Sequence, residues 1–128
     1  MILNLEQRKM KNYLYLPILV VLPLSIQAKT LDEFFSSHQN LNANVEVRMA
    51  VKSLSSSMAN VEAVNEGNPL PGVRGAELLR ENGGDYADIA LKKLAGSCSG
   101  KDSVYEASDF SEKTCDMVIE EFSKAQSN

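Results

Sequence analysis

The side chains with the widest chemical range in this 128-residue chain are two cysteines, Cys98 and Cys115, and one histidine, His38. A thiol pair can bind a metal, carry electrons or close a disulfide. The spacing of this pair is far from C-x-x-C, and only His38 is available as a third soft ligand, which points to a structural disulfide rather than to metal or redox work. An H-E-x-x-H zinc site is impossible with one histidine. That histidine stands in Ser36-Ser37-His38 and would have to serve as any imidazole base alone. Adjacency in sequence does not bring a serine hydroxyl onto the ring, so the expectation is a solvent-facing or helix-end histidine.

Other motifs fail on spacing. Gly96-Ser97-Cys98-Ser99-Gly100-Lys101-Asp102 resembles a phosphate loop only faintly: it has three residues between its glycines where four are needed, and aspartate follows the lysine in place of Ser or Thr. The acidic segments lack the D-x-D-x-D-G order of an EF-hand. The carboxylate pairs Glu120-Glu121 and Asp85/Asp88 read as a solvated helix face and as negative charge at a helix N-terminus. No catalytic residue, metal ligand or cofactor site is expected, and the chain reads as a non-enzyme.

The N-terminus explains the cysteines. Arg8, Lys9 and Lys11 precede an apolar run from Tyr13 to Leu24, and Ser25-Ile26-Gln27-Ala28 follows. This is the order of a secretory signal over residues 1–28, with cleavage expected between Ala28 and Lys29. A membrane anchor needs about 20 apolar residues, and this run is shorter and interrupted by Pro17 and Pro23. Met10 is an alternative start, with Lys11 left as the positive charge. No cysteine lies near the cleavage zone to accept a lipid, and no Asn-x-Ser/Thr acceptor occurs in the chain. Export places both cysteines in an oxidising compartment, where pairing is favoured, and closing the loop between them stabilises by roughly 3 kcal/mol.

Losing residues 1–28 removes three of the 13 basic residues and one of the 17 acidic ones, so the net charge moves from −4 to −6. Such a domain is a poor match for nucleic acid, which is bound through Lys/Arg clusters; Lys92-Lys93 is the nearest approach to one. Once the signal is cleaved, no contact with the membrane is expected.

Periodicity supplies the scaffold. Thr30 with Glu33 makes a capping box for a helix carrying Leu31, Phe34, Phe35 and His38. The run Asn40 to Asn44 reads as a turn. Val47, Val51, Leu54, Met58 and Val61 step by four and three and predict a helix from Val45 to Glu66, capped by Asn44 and stopped by Gly67. Ser55-Ser56-Ser57 within it permits close packing, internal or against a partner. Gly67 to Gly72 makes an elbow at Pro69 and Pro71. Two short helices are expected next, Gly75 to Asn82 and one capped by Asp85 and ending at Gly96, with Gly83-Gly84 between them. Ser97 to Asp109 reads as a loop. Ser111 starts a last helix with Cys115, Val118, Ile119 and Phe122 on one face, and Phe110 and Cys115 have the spacing of a hydrophobic staple.

The resulting expectation is all-α: a small bundle of about four to five helices over 29–128, after an N-terminal signal helix, with one disulfide. Such a chain, without catalytic chemistry, reads as a periplasmic or secreted accessory or adaptor that binds a protein partner in the cell envelope through an exposed helix face or the Pro-Gly elbow. The alternatives are a secreted effector or enzyme inhibitor and a periplasmic stress chaperone.

Overall fold

Thr30 and Glu33 form the reciprocal cap that their spacing predicts. In the computed structural model, which describes residues 29–127, the Thr30 hydroxyl accepts from the Glu33 N–H at 3.2 Å and the Glu33 carboxylate accepts from the Thr30 N–H at 2.8 Å. The export segment read over 1–28, Ala28 included, lies outside the described residues. The helix so opened, α1 (Leu31–Ser37), buries Phe34 and Phe35 edge to face, their ring centroids 5.2 Å apart.

The segment expected as a turn is instead a short helix, α2 (Gln39–Ala43). Polar residues made it look like a connection, but Leu41 is fully buried; one anchored leucine in the main core outweighs the weak helix propensity of its asparagine neighbours. Asn44 then caps α3 (Val45–Asn65), its side chain accepting from the Val47 N–H at 3.0 Å. Gly67 follows α3 with φ +76°, the left-handed conformation that ends helices.

The apolar stripe of α3 is fully buried only at its start; Leu54 and Met58 are half-buried against the core. Val47 and Val51 are fully buried, whereas Val61 is 56% exposed. The buried face continues instead through Ser55, Ala59 and Ala63, one residue in four. A pattern stepping by four and three has a period of 3.5, so on a straight helix it drifts by about 20° per heptad, and past Val51 small residues take the centre of the contact with Leu54 and Met58 at its margin. They let the next helix approach closely. Gly75 of that helix lies so near α3 that a Cβ there would run into the Asn60 side chain.

Of the three consecutive serines, Ser55 is the one turned inward. It is fully buried and its hydroxyl has no hydrogen-bond partner. Burying an unpaired hydroxyl costs about 1–3 kcal/mol, so Ser55→Ala is expected to stabilise by about 1 kcal/mol and to raise Tm by several degrees in thermal unfolding. An unchanged or lower Tm would mean that the hydroxyl is satisfied.

The two helices expected on either side of Gly83-Gly84 form one kinked helix, α4 (Pro71–Cys98), with Asn82 at φ −125°, ψ 18°. Pro71 occupies its first turn, where the missing N–H costs nothing. The elbow therefore shortens to the residues before Pro71. Asn68 accepts from the Leu70 N–H at 2.8 Å, and Arg74 reaches back to Glu66 at 2.9 Å.

Gly83 and Gly84 are buried and serve close approach, not termination. A Cβ on Gly83 would press on Leu31, and one on Gly84 would strike the Lys29 and Thr30 carbonyls; the Gly84 N–H donates to Lys29 O at 2.8 Å. Replacing a helical glycine by alanine gains about 1 kcal/mol of propensity, while overpacking costs about 1–3 kcal/mol. At Gly84 the obstacle is backbone, so Gly84→Ala is expected to lower stability by about 1–2 kcal/mol. At Gly72, with open space around it, the same change is expected to be neutral or stabilising. Urea unfolding of the two variants side by side decides the point; equal midpoints would remove the close-approach argument.

Ser111 caps the last helix, α5 (Glu112–Ser127), accepting from the Thr114 N–H at 3.1 Å. Its buried face runs through Thr114, Val118 and Glu121, rotated from the expected line so that Cys115, Ile119 and Phe122 are half-buried. Within the expected loop, Cys98 belongs to the last turn of α4, and Tyr105–Ala107 form a 3-10 turn.

α3 and α4 share the most extensive contact, with α1 and α5 also packed on α4. The main core gathers Phe34, Leu41, Val47, Val51, Leu91, Leu94 and Val118 from all five helices. A smaller cluster of Ala59, Ala63, Leu78 and Tyr86 fills the part of α3 and α4 nearer the elbow. The fold is all-α, with no strand among the described residues, and none of their helices is long and apolar enough to cross a membrane.

Candidate functional site

Cys98 at the end of α4 and Cys115 in the first turn of α5 are joined in a disulfide, with Cα atoms 5.3 Å apart. The bond encloses a segment that its own hydrogen bonds also shape. Gly100 takes φ +77°, letting the Lys101 and Asp102 amides both donate to Gly96 O at 2.9 and 3.1 Å. The amides of the faint phosphate-loop motif are therefore spent in capping α4. Farther on, the Ser97 hydroxyl bridges the N–H and C=O of Val104, each at 3.4 Å. Ala107 is buried, and Val104 and Phe110 pack against the main core.

With Val104, Ala107 and Phe110 facing inward, Tyr105 faces out and is 82% exposed. It forms one wall of a groove of about 340 Å³ together with Glu106, Asp109 and Phe110. The other wall is the start of α3, with Glu46, Met49 and Ser53. Met49 is 64% exposed, and Val45, one turn before it, is 54% exposed. The groove thus has apolar contact surface from Met49, Phe110 and Tyr105 and three carboxylates in its lining. None of the three carboxylates is ion-paired among the described residues. Glu46 also sits in the first turn of α3, where the helix dipole favours it.

A second open groove, of about 440 Å³, lies between α3 and α4, lined by Met58, Val61, Tyr86 and Ile89. Its one carboxylate, Glu62, accepts from the Tyr86 hydroxyl. Burial, and then that bond, push the Tyr86 phenol up to about 12. Nearer the elbow, Val64, Leu70 and Val73 are each exposed by more than half.

His38 lies at the junction of α1 and α2, a helix-end position as expected, but it is not solvent-facing. Its side chain is 12% exposed and stacks on Phe34 with ring centroids 4.6 Å apart. Its Nδ1 lies 3.3 Å from Glu121 Oε1, while Ser36 is exposed and the Ser37 hydroxyl donates to Glu33 O at 3.1 Å, so no serine–histidine pair forms. Glu121, read from the sequence as half of a solvated pair with Glu120, is 6% exposed. It also accepts from Asn40 Nδ2 at 3.3 Å and Lys124 Nζ at 3.4 Å. Burial works against its ionisation, but the bonds from His38, Asn40 and Lys124 outweigh it and hold the carboxyl below the usual glutamate range. Nothing in the sequence marked Glu121 as buried except its i+3 spacing from Val118.

Of the other acidic residues singled out, Asp88 pairs with Lys29 Nζ at 2.7 Å, and Asp85 is exposed. Among the described residues no group of three or more His, Cys, Asp or Glu side chains is arranged to hold a metal ion. No family model matches this chain, and no curated protein or solved structure is similar enough to it to carry an argument.

Proposed function

We propose that this chain is an exported, non-enzymatic accessory protein that binds a protein partner in the cell envelope. The observation that carries the reading is the groove between α3 and the disulfide-closed segment, where Tyr105 and Met49 are presented to solvent on a stapled framework. Tyrosine and methionine are enriched at protein interfaces, and a side chain held outward by a constrained turn loses little freedom on binding. The disulfide also supports an oxidising compartment, the periplasm or the exterior, as does the signal-like order of residues 1–28.

A photo-crosslinking residue placed at Tyr105, at Ile89 or at Leu70 of the full-length chain, in the cells that make it, tests the reading. The expected result is a discrete protein adduct formed on the exported protein from at least one of these positions. Absence of any adduct from all three, with the protein exported and folded, would sink it.

A further inference from the structure

We infer that the groove between α3 and the disulfide-closed segment takes a cationic–apolar segment of the partner: a chain carrying an apolar anchor flanked by lysine or arginine. This inference rests on the reading of the protein as a binder, and adds which surface binds and what chemistry it recognises.

The argument is charge placement on an apolar groove. Glu46, Glu106 and Asp109 line it together with Met49, Tyr105 and Phe110. Of the basic residues nearest in sequence, Lys113 is exposed and is not part of the groove lining, and three others are engaged elsewhere. Arg48 donates to Asn42 O of α2 at 2.8 Å; Lys52 lines a separate cleft with Leu31 and Phe35; Lys101 lines another beside Ile119 and Phe122. Among the described residues the groove lining therefore carries three negative charges and no positive one. Such a surface attracts a cationic segment and repels an acidic one. The apolar contact gives the anchor a place to be desolvated, which exposed charge pairs alone do not provide. The α3–α4 groove lacks this signature, because its one carboxylate is engaged by Tyr86.

The test uses the exported protein, disulfide intact, and short synthetic peptides followed by fluorescence anisotropy. One peptide has a single tryptophan flanked by lysines, a second has the same tryptophan flanked by glutamates, and a third has the lysines with glycine in place of tryptophan. The lysine–tryptophan peptide is expected to bind at least about tenfold more tightly than either control, a ratio that a few exposed charge pairs and one aromatic anchor supply. Its affinity should fall as salt rises from about 0.1 M to about 1 M. Glu106→Gln with Asp109→Asn should remove most of the preference for lysine over glutamate. Tyr105→Ala should weaken binding about tenfold, and Ile89→Ser, in the other groove, should leave it unchanged.

The inference is overturned if the glutamate peptide binds as well as the lysine peptide, if Ile89→Ser weakens binding and Tyr105→Ala does not, or if neither tryptophan peptide binds. Dimerisation of the protein abolished by Tyr105→Ala would assign the groove to a second copy and overturn it as well. A crosslinked partner found only from Ile89 or Leu70 would overturn this assignment while leaving the partner-binding reading intact. No adduct from any position overturns that reading instead.

Discussion

Replacing Cys98 and Cys115 together by alanine is expected to lower the stability of the helical domain by about 3 kcal/mol, the chain-entropy effect of closing a loop of this size. For a domain of about 100 residues that corresponds to a fall in Tm of roughly 12–24 °C. The bond joins residues 17 apart and ties the end of α4 to the start of α5, so its loss frees the segment between them in the unfolded ensemble. In the folded state that segment keeps the Gly96 and Ser97 hydrogen bonds. The double variant should therefore still fold, with its main loss in stability and not in helix content. Circular dichroism of the variant, and of the unaltered protein with and without reductant, measures both quantities. A Tm change of only one or two degrees would mean that the hydrogen bonds and the burial of Ala107 hold the segment without help. Tyr105 lies inside the closed loop, so the binding proposed for the groove should weaken alongside stability.

The second large effect centres on Glu121. Replacing it by alanine leaves His38 and Asn40 without their acceptor and opens space at a position that is 6% exposed; the expected cost is about 2 kcal/mol at neutral pH. The pH dependence has a defined sign. Glu121 titrates lower in the folded chain than its ordinary value, which is about 4.3. A depressed carboxylate contributes stability that is fully present above the unfolded value and is lost as pH falls through the folded one. The unaltered protein should therefore lose stability below about pH 4.3 more steeply than Glu121→Gln, and the two curves should converge in acid. Thermal unfolding across pH 7 to 2 gives both curves. Parallel curves would show that acid sensitivity arises from other carboxylates.

The parts of this fold that were legible in the sequence are those set by contacts between near neighbours. The Thr30–Glu33 box, the Asn44 and Ser111 caps and the Gly67 stop each depend on residues within a turn of one another, and each sits where its spacing puts it. The disulfide was legible because the chain offers a single pairing. What escaped was set by distant contacts. Gly83-Gly84 has the composition of a helix end, and only the approach of Lys29 and Leu31 from the start of the fold shows why glycine is needed there. The α3 stripe was traced through valine, leucine and methionine, and Leu54 and Met58 do pack at the margin of the core, but past Val51 the fully buried line runs through serine and alanine, which carry too little hydrophobicity to register. Glu121 pairs with a residue 83 positions away, beyond any local pattern. The groove was illegible for the same reason: Met49 and Tyr105 lie far apart in sequence, and neither forms part of a recognisable motif.

The seat of Lys29 on Gly84 makes the two ends of the domain unequal as points of attachment. The first described residue already supplies a backbone acceptor and a side-chain ion pair to α4, and the cap of α1 follows at once. The last turn of α5 is exposed from Ser123 onward. An affinity handle, reporter or surface tether fused after residue 128 leaves every described contact in place. Removing Lys29 and Thr30 takes away the Gly84 acceptor and the Thr30 cap together, so whatever precedes Lys29 can be altered with less consequence for α1 than these two residues can.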